Sequence, residues 1–282
     1  MNKVAILGAR GYVGKSLARE FVKETDFKVT LFARKSDKKL NIKSISDFSK
    51  GKYDTIINCT GIGNKALKNN QHNIFAVTEE VDYMLEAYQK QHPKTLCIHM
   101  SSGAVYKKID LNNIGPADFY AVAKINSEAR HRAFPSLSIV DLRIFSFFSQ
   151  YIDPEAGFFM SDVVACLKSK KVLETSADDI VRDYVCPHDL VTLIKSVIKK
   201  SKINDFFDVY SKAPVSKFEL LECLKEEYGL KYKIKKNFNS QTPTGAKSAY
   251  HTQNTKAKIL GYKPKFTSLQ GIENELKKCD IL

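Results

Sequence analysis

The chain opens with Lys3-Val-Ala-Ile-Leu-Gly8-Ala-Arg-Gly-Tyr-Val-Gly14, and this stretch decides its fold. The first five residues are an apolar run of strand formers, and residues 15–22 place apolar side chains at helical spacing. Glycines between a strand and a helix let a pyrophosphate approach the main chain, where free N–H groups and the positive helix end bind it. An ordinary turn with convenient glycines is the alternative. The pattern predicts a dinucleotide-binding loop, with contacts from Gly8, Arg10, Gly11, Tyr12, Val13 and Gly14.

Apolar strand patterns and helical patterns alternate along the first half of the chain. After the first strand, further strands are predicted at 28–32, 54–59, 95–100 and 137–143, with helices at about 74–91 and 119–134. Such alternation predicts an α/β fold: a doubly wound parallel sheet (Rossmann) with a smaller mixed α/β C-terminal substrate lobe.

The alternation loosens beyond residue 150, after the turn-rich segment 153–157. Later helices are predicted near 158–168, 188–200 and 216–228. We therefore assign residues 1–149 and 186–209 to the dinucleotide-binding domain, and residues 150–185 and 210–282 to the substrate-binding lobe.

Composition excludes several classes of protein. No apolar run is long enough to span a bilayer and the N-terminus does not resemble a signal peptide, so we expect a cytoplasmic protein with no membrane partner. Six cysteines and six histidines are dispersed without metal-binding spacing, so neither a disulfide scaffold nor a metal site is expected. The net charge of +14 comes largely from lysine clusters that resemble solvated faces. No nucleic-acid-binding motif accompanies them, so a nucleic-acid partner is not expected.

The end of the second strand indicates which cofactor binds. The chain has Ala33-Arg34-Lys35 where an NAD enzyme presents a carboxylate to the ribose 2′-hydroxyl. Arg34 and Lys35 can bind a 2′-phosphate instead, so NADP(H) is favoured. NAD(H) remains possible if Asp37 turns towards the ribose. Three further cofactor contacts are expected where the strand from Asp54 ends, at Cys59, Thr60 and Gly61.

A Tyr-x-x-x-Lys pair follows a serine at a strand end. About two such pairs are expected by chance in this composition, and two occur. Tyr232-Lys236 lies in a polar lysine-rich stretch and is interpreted as accidental. Tyr120-Lys124 lies on a predicted helix, where a spacing of four places both side chains on one face. Ser102 ends the preceding strand, so Ser102, Tyr120 and Lys124 are the candidate catalytic residues.

These three residue types fit the transfer of a hydride to a ketone. The oxyanion that develops needs a proton, and a phenol can supply it if a cation lowers the cost of ionising the phenol. Lys124 would be that cation and Tyr120 the acid. Ser102 would donate a hydrogen bond to the same oxygen.

Taken together, these motifs resemble the extended short-chain dehydrogenase/reductase superfamily, the nucleotide-sugar epimerases, dehydratases and reductases. The resemblance rests on the glycine loop, Ser101–Tyr106, the Tyr120/Lys124 pair, Arg182-Asp-Tyr-Val185 with Asp189, and Leu260–Pro264. It implies that Lys124 also holds the nicotinamide ribose and that the substrate is a nucleotide-sugar. It further implies a homodimer in which the helices at 74–91 and 119–134 pair with their counterparts.

The same resemblance implies the substrate contacts. Arg182 would bind the substrate diphosphate, with a structural ion pair to a nearby Asp as the alternative. Ser102 and Gly103 would contact the sugar. Ser146, which stands where many members carry Asn, is a further expected contact.

Departures from the family pattern narrow the activity. The 4,6-dehydratases of this superfamily carry Thr-Asp-Glu at the end of the catalytic strand. This chain has Ser102-Gly103-Ala104 at the equivalent place. The 4-epimerases have an acidic second-strand end, unlike Ala33-Arg34. The hypothesis is an NADPH-dependent reduction of the 4-keto group of a nucleotide-activated deoxysugar, with a proton from Tyr120. The alternatives are an epimerase that retains NAD(P), a non-catalytic dinucleotide-binding regulator and, third, a nucleic-acid binder.

Overall fold

The computed structural model describes residues 1–62, 73–235 and 249–279. Its strands are β1 (Asn2–Leu7), β2 (Phe27–Ala33), β3 (Ile42–Ser44), β4 (Thr55–Asn58), β5 (Leu96–Ser102), β6 (Ile139–Ile144), β7 (Ser146–Phe147), β8 (Leu173–Thr175), β9 (Val181–Arg182), β10 (Tyr184–Val185), β11 (Asn204–Val209), β12 (Val215–Ser216), β13 (Tyr232–Ile234) and β14 (Ala249–Tyr250). Its α-helices are α1 (Tyr12–Phe21), α2 (Asn73–Gln91), α3 (Pro116–Arg132), α4 (Phe159–Ser169), α5 (Pro187–Lys200), α6 (Lys217–Tyr228) and α7 (Ser268–Leu276).

Seven parallel strands form the central sheet, in the order β11-β6-β5-β4-β1-β2-β3. From β1 the chain first adds β2 and β3 on one side and then adds β4, β5, β6 and β11 on the other, so the strand order reverses between β1 and β4. Helices connect most successive strands. Val4 to Leu7 of β1 are fully buried, because a central parallel strand is covered on both faces. The predicted doubly wound Rossmann sheet is confirmed.

Element boundaries differ from the sequence prediction where caps decide them. Helix α1 begins at Tyr12 rather than Lys15, because Gly11 is its extended N-cap. Helix α3 begins at Pro116, where proline suits a first helical position and Asp118 accepts a hydrogen bond from the Gly115 N–H at 2.9 Å. Tyr120 therefore lies inside α3 instead of opening it.

A second hydrophobic cluster lies in the C-terminal part of the chain. It is built from α4, α6 and α7, and includes Val163, Leu221 and Ile272. Three short strands, in the order β12-β9-β14, form a separate sheet beside it. Tyr262, placed by sequence in the lobe, packs in the core of the central sheet. The exact domain boundaries stay a prediction.

None of the helices in the described ranges combines the length and apolarity needed to cross a bilayer.

Candidate active site

The glycine turn brings α1 directly onto the end of β1. Gly8 has φ of +75°, and a Cβ there would lie 2.6 Å from the carbonyl oxygen of Cys59. A Cβ at Gly14 would lie 2.3 Å from the carbonyl oxygen of Gly8. Both positions therefore require glycine. Gly11 has no side chain to cap α1, so first-turn N–H groups are left for an acceptor such as a pyrophosphate.

A cleft of about 370 Å³ opens at the carboxyl ends of the strands. This edge, beside a reversal of strand order, is where doubly wound sheets bind ligands. The cleft is lined by nine of the residues expected from the sequence: Tyr12, Val13, Thr60, Gly61, Ser102, Tyr120, Lys124, Ser146 and Arg182.

The three candidate catalytic residues come from β5 and α3. Ser102 is the last residue of β5, and its hydroxyl accepts a hydrogen bond from the Ala104 N–H at 3.1 Å. The ammonium of Lys124 donates to the carbonyl of Met100 at 3.0 Å, which fixes α3 against the end of β5. All three side chains line one cleft with Tyr12 and Val13 of the glycine turn.

Tyr12 is fixed at the floor of the cleft by the segment that follows β7. Its hydroxyl accepts a hydrogen bond from the Ser149 N–H at 2.8 Å, and its ring packs edge-on against Phe147 at 5.3 Å. Burial raises the pKa of its phenol. Tyr12 therefore positions the turn as well as lining the cleft.

Arg182 reaches the cleft from β9. Within the ranges that the structure describes it forms no ion pair, and its guanidinium lies 5.7 Å from the ring of Tyr250. The neighbouring Asp183 instead accepts hydrogen bonds from the Ser211 N–H at 3.0 Å and the Ser268 hydroxyl at 3.1 Å. The guanidinium of Arg182 therefore lines the cleft without a carboxylate partner among the described residues.

The remaining expected site residues lie outside this cleft. Gly8, Gly11 and Gly14 form the turn behind it, and Gly103 starts the 3-10 turn Gly103–Tyr106. Arg10, Arg34 and Lys35 are exposed beside the ends of β1 and β2. Cys59 follows β4, and burial raises the pKa of its thiol to about 12, which makes it an unreactive packing residue.

Asp37, the residue on which the NAD(H) alternative depended, is engaged elsewhere. Its carboxylate accepts hydrogen bonds from the N–H groups of Lys39 at 3.1 Å and Leu40 at 3.2 Å. Its main chain also pairs with Ile42. The carboxylate therefore caps the turn that leads into β3.

Tyr250 is a cleft residue that sequence reasoning missed. It is 5% exposed, its side chain is hydrogen-bonded to Ser102, and burial raises the pKa of its phenol to about 12. Its ring packs against Phe145 at 5.3 Å. No motif surrounds Tyr250 in the sequence, and it reaches the end of β5 through the pairing of β14 with β9.

One group of side chains in the described part of the chain has the make-up of a metal site. Asp82, His99 and His131 are buried, with potential ligand atoms within 4.8 Å of one another. Sequence spacing could not reveal this group, because the three residues come from α2, β5 and α3.

Fold and site together define a class: Rossmann enzymes in which a serine and a Tyr-x-x-x-Lys pair share a cleft with a glycine turn. The sequence profile of the NAD dependent epimerase/dehydratase family matches residues 4–209, so the chain belongs to that family. This confirms the resemblance to the extended short-chain dehydrogenase/reductases. An uncharacterized protein of Methanocaldococcus jannaschii is 26% identical over 186 residues, which is 62% of this chain and 56% of that protein. The match thus spans little more than half of that relative.

Solved structures of low sequence identity share the fold over nearly the whole chain. The dTDP-glucose 4,6-dehydratase of Bacillus anthracis str. Ames, in complex with NAD, is 14% identical with a TM-score of 0.79, over 98% of this chain and 96% of that one. A point mutant of the UDP-glucuronic acid 4-epimerase of Bacillus cereus, bound to a fluorinated UDP-sugar and NAD, is 20% identical with a TM-score of 0.77, over 98% of each. The Helicobacter pylori ADP-L-glycero-D-manno-heptose-6-epimerase is 17% identical with a TM-score of 0.78, over 98% and 96%.

Proposed function

We propose that this protein reduces the 4-keto group of a nucleotide-activated deoxysugar with NADPH. The observation that carries the proposal is the shared cleft in which Ser102, Tyr120 and Lys124 meet the glycine turn. When bound, NADPH would supply the hydride. Tyr120 donates a proton to the developing alkoxide, Lys124 stabilises the phenolate, and Ser102 holds the carbonyl oxygen.

Two features support NADPH over NADH. Arg34 and Lys35 lie exposed just beyond the end of β2, where the adenosine ribose would lie. Asp37, the nearest carboxylate in sequence, is occupied by the N–H groups of Lys39 and Leu40. A 2′-phosphate would therefore meet cations and not a free carboxylate.

The walls of the cleft support a deoxysugar. Aromatic and aliphatic side chains dominate its lining, among them Phe145, Phe158 and Met160. A methyl group is bound well by such a wall, whereas a hydroxyl would lose its hydrogen bonds there. Arg182 is the cation in position for the diphosphate.

The second candidate is an epimerase that retains NAD(P), since epimerases of this fold are solved with NAD and nucleotide-sugars. The test is to supply purified protein with NADPH or NADH and a panel of nucleotide-linked 4-keto-6-deoxysugars and their epimers. We expect NADPH consumption and a new sugar alcohol. Interconversion of epimers without net consumption would establish the epimerase instead, and binding without any turnover would leave a regulator.

We further propose a cytoplasmic homodimer formed by α2 and α3. Tyr83 on α2 and Ile125 on α3 are exposed apolar side chains on those helices, 57% and 38% exposed. Light scattering on the full chain tests this: a monomer at micromolar concentration would contradict it.

A further inference from the structure

A buried polar cluster adjoins Lys124 and takes no part in the substrate contacts proposed above. It consists of Asp82 on α2, His99 on β5, His131 on α3 and Asp141 on β6, each at most 6% exposed. The two imidazole rings lie 4.0 Å apart. Asp82 Oδ1 lies 3.7 Å from His99 Nδ1 and 3.5 Å from His131 Nε2.

Two small cavities flank this cluster. One, of about 20 Å³, is lined by Lys124, Asp82 and His99. The other, of about 10 Å³, is lined by Asp82 and His99 together with the ion-paired Glu86 and Arg130 nearer the surface. One buried water needs roughly 10–15 Å³ of such space, so the first cavity suffices and the second is at the limit. Lys124 also lines the proposed catalytic cleft, so the first cavity connects the cleft to the cluster. The second cavity connects the cluster to the Glu86–Arg130 pair.

The hydrogen bonds of the cluster leave one nitrogen facing inward. His131 Nδ1 donates to Asp141 at 2.9 Å, but Nε2 has no partner among the described residues. Asp82 Oδ2 accepts a hydrogen bond from the Ser127 hydroxyl at 2.6 Å. The other carboxylate oxygen, Oδ1, faces the imidazole rings of His99 and His131. Buried polar groups are almost always paired with protein or ordered water. His131 Nε2 is therefore placed to exchange a proton with Asp82 or with water in the adjoining cavity.

The two rings differ in protonation. Burial lowers the pKa of His131, but the hydrogen bond to Asp141 and the negative charges of Asp141 and Asp82 outweigh burial and raise it to about 9. Burial, followed by the charge of His131, lowers the pKa of His99 to about 3. At neutral pH one ring holds a proton and the other is free of charge. The charged groups around the pair are Asp82 and Glu86 from α2, Asp141 from β6, and Lys124, Arg130 and Arg132 from α3.

We propose that this cluster conducts protons from the Glu86–Arg130 pair to Lys124, and so restores the proton that Tyr120 gives up in each turnover. The inference rests on the reductase proposed above. In each reduction the ketone carbon gains a hydride from NADPH, the Tyr120 O–H bond breaks and the alcohol O–H bond forms. The phenolate then takes a proton from the ammonium of Lys124. Lys124 in turn takes a proton from a water molecule in the adjoining cavity, and that water takes one from His131 by way of Asp82. His131 is reprotonated from solvent by way of the Glu86–Arg130 pair, which the dimer proposed above must therefore leave open to water, so one solvent proton enters for each ketone reduced.

The first experiment separates proton resupply from chemistry in Asp82→Asn, which keeps the shape of the side chain. The first turnover uses the proton already on Tyr120, so single-turnover NADPH oxidation should stay within about twofold of wild type. The steady-state kcat should fall at least about tenfold, with a larger solvent deuterium isotope effect. Asp189→Asn is the matched control, because Asp189 is 1% exposed and binds the N–H groups of Lys265 and Phe266 away from the path. This control should keep the wild-type ratio of the two rates.

The outcomes that overturn the proposal are specific. Equal loss of both rates in Asp82→Asn makes the carboxylate structural, and no loss in either means that protons enter through the open cleft. A divalent metal retained by Asp82, His99 and His131 would also overturn it, because ligated imidazoles do not relay protons.

A second measurement needs no substrate. In protein labelled with ¹⁵N-histidine, His131 should show a protonated ring at neutral pH and magnetisation exchange between its Nε2–H and water, weakened in Asp82→Asn. Absence of water exchange in the wild type defeats the path. If no keto-sugar is reduced, the proposed reductase activity is rejected, and the proton path is then tested by this NMR measurement alone.

Discussion

The phenol of Tyr250 is hydrogen-bonded to the side chain of Ser102. Tyr250 ends β14 and Ser102 ends β5, so this bond joins the C-terminal part of the chain to the central sheet. The side chain of Ser102 is therefore oriented from two sides, by Tyr250 and by the Ala104 N–H. The orientation of Ser102 therefore depends on how the C-terminal part of the chain packs against the central sheet.

Removing that bond should reduce catalysis more than binding. In Tyr250→Phe the Ser102 hydroxyl loses a partner, and we expect kcat to fall about tenfold, since one hydrogen bond is worth roughly 0.5–1.5 kcal/mol. The KM for NADPH should not change. Steady-state kinetics beside Tyr228→Phe, a lobe tyrosine that does not line the cleft, checks this; equal effects in the two variants would contradict it.

Tyr120→Phe should abolish proton donation while keeping the cofactor site. We expect kcat to fall at least about 100-fold, with NADPH affinity unchanged in a fluorescence titration. The chain supplies its own control in the chance Tyr-x-x-x-Lys pair. Tyr232→Phe removes a phenol that contacts Glu222 on the surface and should retain full activity. Wild-type turnover by Tyr120→Phe would show that Tyr120 is not the proton donor, and cofactor binding without turnover by either protein would indicate a non-catalytic dinucleotide binder.

Charge reversal at Arg34 should exchange cofactor preference. In Arg34→Glu a carboxylate would face the 2′-phosphate, and we expect the KM for NADPH to rise about 10- to 100-fold, since a hydrogen bond to a charged group is worth roughly 1.5–3 kcal/mol. The KM for NADH should stay or fall. Lys28→Glu on β2, the strand that precedes Arg34, makes the same change of net charge as a control. A parallel rise for both cofactors would exclude a 2′-phosphate contact at Arg34.

Gly14→Ala should disrupt the turn itself. A Cβ there would lie 2.3 Å from the carbonyl oxygen of Gly8, so the turn must shift, at a cost of about 1–3 kcal/mol. We expect a lower urea midpoint and loss of NADPH binding. Gly115→Ala is the control, because a Cβ there meets nothing within 4 Å. Unchanged binding in Gly14→Ala would show that the turn tolerates the shift.

The two buried histidines should give stability a maximum near pH 6.5. The pKa of His131 is raised to about 9, so its contribution is full below about pH 6.5 and is lost as the pH rises through 9. The pKa of His99 is lowered to about 3, so the folded state disfavours its protonation and stability falls as the pH drops below about 6.5. Urea midpoints measured across this range test both arms. A flat profile between pH 6.5 and 9 would mean that His131 is not charged in the folded protein.

The sequence by itself determined the fold class and predicted three residues that the structure brings to one cleft. A strand, a turn at Gly8 and Gly14 and a helix can be recognised locally, because glycine requirements and periodicity are properties of neighbouring residues. Ser102, Tyr120 and Lys124 could be found because a strand end and a helical spacing of four place them predictably.

Only the tertiary structure decided which distant residues complete the site. Tyr250 reaches Ser102 through the pairing of β14 with β9, and the carboxylate of Asp37 is held by the turn before β3. The pair His99 and His131 is separated by 32 positions in sequence yet lies ring to ring. Such contacts depend on how elements pack around a shared core, and the chain carries no local signal for a meeting of side chains from different elements.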